Sequence, residues 1–233
     1  MSSSPSNTTS SPVRIGGIHA ALGSTAPFSE AIRKAVPGAQ IVNFVNEEML
    51  QYVNRNGGVD PAAMRMFAKQ VFNAEEAKVD ILVIACNIFA ARIDDIRPFV
   101  SVPLLTVDRD MQEKAASIGG RIGVMGTNMS AVPACCMGIC RAAEDKGFPV
   151  PDFEDGTVAE AAKYLVQGDT ETFDRLLAQR ALELAADGCS AIVLSQVTMA
   201  RAKPALEKAG IKIPILTSPE ECAGHVAAIV NAR

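Results

Sequence analysis

The sequence predicts an α/β protein of two pseudo-symmetric lobes, each a parallel sheet with flanking helices, with a site in the cleft between them. Two observations carry the prediction. Short apolar runs alternate with longer alanine-rich segments, which is the grammar of βαβ units with right-handed crossovers. The pattern also occurs twice. Asp80-Ile-Leu-Val-Ile-Ala-Cys86-Asn87-Ile88-Phe89-Ala90 is matched by Ser190-Ala-Ile-Val-Leu-Ser-Gln196-Val197-Thr198-Met199-Ala200, an offset of 110 that sets Cys86 opposite Gln196. Each copy is a run fit for a strand buried on both faces, followed by polar residues where the strand ends.

The elements follow in order. Val13 to Ile18 reads as a first strand, ending in His19 and the small-residue turn Gly23-Ser24-Thr25-Ala26-Pro27. Pro27 starts a helix over Phe28 to Val36, and Pro37-Gly38 stops it. Ala39 to Val45 is a second strand. Asp60 reads as an N-cap for Pro61 to Lys78, with proline at the first helical position. The Cys86 strand, a short helix near Ile93 to Phe99 and a strand at Pro103 to Val107 complete the first set. Arg121-Ile-Gly-Val-Met125 then echoes Arg14-Ile-Gly-Gly-Ile18 at an offset of 107, and the turn Gly126-Thr127-Asn128-Met129-Ser130 takes the place of Gly23-Ser24-Thr25. Ile213-Pro-Ile-Leu-Thr-Ser218 echoes Val102-Pro-Leu-Leu-Thr-Val107 at 111. Three matched segments in one order mark an internal duplication. The division expected is a disordered tail over 1–12, an N-terminal lobe over 13–111 completed by 215–233, and a second lobe over 112–214.

Composition limits the classes of function. The 233 residues are 48% hydrophobic with no Trp, so the core is aliphatic and alanine-rich. A net charge of −4 with scattered Lys and Arg argues against nucleic acid, because phosphate binding needs clustered cations. Six cysteines are too few for a disulfide scaffold, and no signal peptide is read, so reduced thiols in the cytoplasm are expected. No stretch reads as a transmembrane helix. Met1 to Pro12 has no charged side chain and reads as a disordered tail.

Cys86 is the first candidate site residue. A free cysteine is most often a small core residue. Its place at a strand end beside Asn87 gives it an equal claim as an acid–base group or nucleophile. Asn87, Thr127, Asn128, Ser130 and Thr198 all fall at or just after strand ends. Each alone reads as a helix cap. Together they suit an anion cradle for a small carboxylate, as do Ser24, Gln196 and Val197 beside them. His19 ends the first strand and is expected to face the same cleft, as an acid–base partner or a structural hydrogen bonder. Cys135, Cys136, Cys140, Cys189, Cys222 and His225 read as structural, without zinc-site spacing. Gly57-Gly58 and Gly119-Gly120 match no nucleotide-binding fingerprint.

The string Val-Ile-Ala-Cys86-Asn87, the duplicated layout, Ile18-His19-Ala20, Gly168-Asp169 and Leu216-Thr217-Ser218-Pro219 together resemble the aspartate/glutamate/hydantoin racemase superfamily, which includes maleate isomerase and arylmalonate decarboxylase. That resemblance implies proton transfer at an α-carbon between two facing cysteines, with no cofactor and with hydroxyls, amides and backbone N–H groups holding the carboxylate. It makes Cys86 the first acid–base residue, Asn87 a carboxylate ligand, and Thr127 and Thr198 members of the cradle. The departure is Gln196, which stands where the second cysteine belongs and has no useful proton-transfer pKa. The leading expectation is a cofactor-independent isomerase acting on an amino acid, hydantoin-like compound or dicarboxylate, with His19 as a second proton relay. The alternatives are a one-cysteine decarboxylase or lyase, and a non-catalytic carboxylate-binding homologue. The expected partner is the small carboxylate, with no nucleic acid or membrane, and a homodimer or higher homo-oligomer is left open.

Overall fold

A computed structural model describes residues 12–233, so the expected N-terminal tail lies outside the described residues except for Pro12. Two four-stranded parallel sheets form the frame. The first contains β1 (Arg14–His19), β2 (Gln40–Val45), β3 (Ile81–Ile84) and β4 (Leu104–Thr106) in the order β2-β1-β3-β4. The second contains β5 (Arg121–Gly126), β6 (Asp152–Thr157), β7 (Ala191–Leu194) and β8 (Ile215–Thr217) in the order β6-β5-β7-β8.

The registers carry the internal repeat to single residues. Ile15 pairs with Ile81 in the first sheet, and their counterparts at offsets of 107 and 110, Ile122 and Ala191, pair in the second. Leu82 pairs with Leu104, and Ile192 with Ile215. The edge strands β2 and β6 also correspond, although the polar Asp-Phe-Glu-Asp-Gly-Thr of β6 does not read as a strand. An edge strand is half solvated and can dispense with the apolar run that a central strand needs.

Helices cover both faces of each sheet. Pro61–Glu76 lays Phe67 and Val71 against Leu82 and Ile84. Its cap is the expected one: Asp60 Oδ1 accepts from the backbone N–H of Ala62 and of Ala63, at 2.9 and 2.8 Å. Ala131–Lys146 places Cys135 and Ile139 against Val124 and Val193 of the second sheet. Two helices are exchanged between the sheets. Arg109–Ile118, which follows β4, packs Met111 and Ala115 against the second sheet. Ser218–Asn231, which follows β8, packs Cys222 and Val226 with Ile15, Phe28 and Val83 of the first. The exchange ties the lobes through buried apolar surface, the dominant favourable contribution to folding. Among the described residues no helix is long and apolar enough to cross a membrane.

Candidate active site

β3 and β7 are the inner strands on which the duplication is clearest, and both end in the same way. Each gives way to two residues and then a helical turn. The second of these is extended: Cys86 (φ −141°, ψ 111°) in the first lobe and Gln196 (φ −123°, ψ 138°) in the second. Both line one cavity of about 200 Å³ between the lobes. Asn87 joins the walls, its Nδ2 donating to the Ser195 carbonyl at 3.2 Å.

The structure brings Ser24, Asn87, Asn128, Val197 and Thr198 onto the same cavity as Cys86 and Gln196, along with Ser130. Several of these polar groups are already engaged. Asn128 Oδ1 accepts from Ser130 N–H at 3.2 Å, from the Ser130 hydroxyl at 2.9 Å and from Ala131 N–H at 2.9 Å, so it caps the helix Ala131–Lys146. Thr127 is not on the cavity wall. It is buried, and both its N–H and its hydroxyl donate to Gln196 Oε1, at 2.7 and 2.9 Å. The sequence expectation of Thr127 as a direct substrate ligand gives way here to a residue that holds Gln196.

His19 also departs from expectation. It is fully buried and does not line the cavity. Nδ1 lies 2.7 Å from Ser24 Oγ, and Nε2 lies 3.0 Å from Asn43 Oδ1. The Ser24 hydroxyl itself donates to the Ala21 carbonyl at 2.7 Å, so the ring sits in a buried network that engages both its nitrogens. Burial lowers its pKa to about 4, against a smaller opposing effect of the Asn43 hydrogen bond. A neutral imidazole tied at both nitrogens beneath the cavity is a structural hydrogen bonder, so the second proton relay assigned to His19 is withdrawn.

Cys86 is half-buried. Desolvation pushes its thiol pKa up, the N–H groups of Phe89 and Ile88 oppose that, and the nearby Asp108 carboxylate adds to the rise. Asp108 is a residue that sequence reasoning missed. Buried beside the helix Arg109–Ile118, its carboxyl is raised by desolvation despite hydrogen bonds that include one from Gln112 at 3.2 Å. Leu50 is another, brought to the cavity by the helix Glu47–Asn56. The Met49, Leu50 and Val53 spacing was the available signal for that helix. Cys135, Cys189 and Cys222 are buried, and Cys136, raised by desolvation to about 11, lies with Cys140 on the helix Ala131–Lys146.

Two sheets related by an internal repeat, with a thiol at an inner strand end on the wall of the cavity between them, define a duplicated α/β protein. The chain belongs to the Asp/Glu/hydantoin racemase family, whose model matches residues 15–225. This makes it a racemase-type protein by family. Among solved structures it is similar to glutamate racemase isoform RacE1 from Bacillus anthracis, with 19% identity and a TM-score of 0.67 over 96% of this chain and 83% of that one. A putative Asp/Glu racemase from Yersinia pestis gives 16% identity and 0.69 over 94% and 99%. Allantoin racemase from Klebsiella pneumoniae gives 17% identity and 0.69 over 94% and 88%. At such identities the likeness is one of fold. No curated protein sequence matches the chain.

Proposed function

We propose that this protein is a cofactor-independent, racemase-type enzyme that moves a proton at the carbon next to the carboxylate of a small acid, with Cys86 as the acid–base group. The single observation behind the reading is the pairing of Cys86 with Gln196 at corresponding strand ends on one cavity. In the forward step the Cys86 thiolate takes the α-proton, and the C–H electron pair moves into the carboxylate to give an enediolate. The Gln196 amide N–H, with the Thr198 hydroxyl, donates hydrogen bonds to the developing oxyanion. The Cys86 thiol then returns the proton to carbon.

Gln196 cannot carry a proton at neutral pH, so chemistry on the opposite face has no side chain to supply it. This favours a second reading, a one-thiol decarboxylase or lyase. There the C–C bond electron pair stays behind as the enediolate when carbon dioxide leaves. Cys86 protonates that intermediate from one face, and solvent restores the thiol. The raised thiol pKa supports this reading too, because it keeps Cys86 protonated at rest.

Incubation of the enzyme in D2O with a panel of chiral amino, hydroxy and alkyl carboxylic acids and their malonate counterparts tests both. Cys86-dependent α-deuteration supports the first reading. Cys86-dependent carbon dioxide release with deuteration of the product supports the second. Neither process with any compound, or activity that survives Cys86→Ser, sinks the proposal.

A further inference from the structure

We infer that the substrate carries one carboxylate, no ammonium group and an apolar remainder. This deepens the first of the two preceding readings, α-proton transfer at Cys86, and rests on that one alone, since a decarboxylase substrate needs a second carboxylate. None of the described residues lining the cavity bears a charge, and Ala20, Leu50, Ile88, Ala131, Ala134 and Val197 form most of its apolar wall. The space, on the order of seven water molecules, suits a small acid.

Anion-binding groups on and just behind its wall are already partly used by the chain. The two Thr127 donors converge on Gln196 Oε1, as they would on one oxygen of a carboxylate. The N–H groups of Ser130 and Ala131 are taken by Asn128 Oδ1. Two side-chain amide oxygens thus fill the positions that a second substrate carboxylate would need. The side-chain donors that remain on the second lobe's side of the cavity are the Gln196 and Asn128 amide N–H groups and the Thr198 hydroxyl, while Asn87 Nδ2 on the opposite wall already donates to the Ser195 carbonyl. These are enough for one carboxylate.

An ammonium group fares no better. Its partners in this cavity are neutral oxygens only, with no carboxylate on the wall. A charge taken from water into such surroundings without an opposite charge loses binding, by about tenfold or more. Amino acids and dicarboxylates are therefore disfavoured for the same reason, whereas an alkyl substituent meets the apolar wall at no such cost.

Butanoate, 2-aminobutanoate and ethylmalonate share an ethyl group and differ only in the α-substituent: hydrogen, ammonium or a second carboxylate. Dissociation constants for the full-length protein at pH 7.5, from saturation-transfer NMR titrations, test the inference. Slowed alkylation of Cys86, read by mass spectrometry, assigns the binding to this cavity. Butanoate is expected to bind at least about tenfold more tightly than either charged analogue. Gln196→Ala, which frees both Thr127 donors, is expected to narrow the ethylmalonate gap about tenfold and leave the 2-aminobutanoate gap unchanged. Equal or tighter binding of either charged analogue by the wild type overturns the inference, as does failure of all three to slow Cys86 alkylation. Cys86-dependent α-deuteration of glutamate would likewise refute it while leaving the proton-transfer reading intact.

Discussion

Gln196 Oε1 accepts two hydrogen bonds from one residue, Thr127: the backbone N–H at 2.7 Å and the hydroxyl at 2.9 Å. The pair fixes which end of the amide faces the cavity. With the carbonyl oxygen held by Thr127, the N–H2 end is left to meet a ligand. Gln196 is therefore held as an oriented hydrogen-bond donor that cannot itself carry a proton at neutral pH.

Removing one anchor should loosen that donor without touching the thiol. Thr127→Val keeps the backbone N–H bond and the side-chain volume but loses the hydroxyl bond, worth about 1 kcal/mol. The expected result is a KM raised about fivefold, with the pH profile of kcat unchanged. A profile displaced along the pH axis would mean that Thr127 acts on Cys86 rather than through Gln196.

Cys86→Ser should remove turnover while leaving the fold intact. The replacement is nearly isosteric and sits at a half-buried cavity wall. A hydroxyl at this position is a far weaker acid–base group than a thiol, so a loss of about 10³-fold or more is expected in α-deuteration followed by NMR. An unchanged thermal melt alongside that loss would assign it to chemistry.

The direction of the Cys86 shift sets the pH dependence. Burial raises the thiol above its ordinary value of 9.0, so the thiolate is a minor species throughout the neutral range. Proton abstraction needs the thiolate. Its kcat/KM should therefore climb about tenfold per pH unit between pH 6.5 and 8.5 and show no plateau below pH 9. Protonation of a decarboxylated intermediate needs the thiol. It should stay flat over the same interval and fall only above the raised pKa. Stopped-flow or NMR rates across this range separate the two.

The inner strands were legible because burial on both faces leaves one solution, a short continuous apolar run, and the duplication repeats it. The pairing of Ile15 with Ile81 and of Ile122 with Ala191 follows the offsets read from the chain. β6 was not legible, since Asp152, Glu154 and Asp155 are tolerated on an edge that water reaches. The strand ends identified Cys86 and Gln196 for the same periodic reason. Sequence position could not tell which polar groups near them are spent on one another. Thr127 and Asn128 have the chemistry of ligands, but three-dimensional proximity makes one an anchor for Gln196 and the other a helix cap. His19 shows the same limit: a strand-end histidine can face the cleft or sit beneath it, and here Ser24 and Asn43 hold it beneath.

His19 should then matter to stability and not to proton transfer. Its folded pKa of about 4 lies below the ordinary 6.5, so between these values the unfolded chain binds more protons. Stability should rise with pH through that window and be fully present above pH 6.5, a change on the order of 3 kcal/mol. Chemical denaturation of the wild type at pH 4.5, 5.5 and 7 measures it. His19→Gln should flatten the His19 contribution and destabilise the protein by about 1–3 kcal/mol at pH 7 through the disturbed Ser24 and Asn43 bonds. The activity of the folded fraction should stay within about threefold of wild type, whereas a group on the proton path would cost at least about a hundredfold.

Gln196→Cys puts a thiol on the wall that lacks one. Gln196 already has the extended backbone seen at Cys86 and occupies the matching strand end, so the substitution needs no new main-chain geometry. The shorter side chain also gives up the Thr127 bonds and returns two donors to a ligand. With acid–base groups on both walls, one thiolate can remove the α-proton while the opposite thiol delivers one to the other face. Inversion therefore becomes chemically possible at a carbon where the wild type has a proton carrier on one side only. For any acid that the wild type deuterates with retention, the variant should give both enantiomers, resolved by chiral chromatography. That new activity should vanish in the Cys86→Ser, Gln196→Cys double variant. If wild-type Gln196 already yields both enantiomers at the same rate, a second proton carrier exists on that wall, and the one-thiol account of this cavity is wrong.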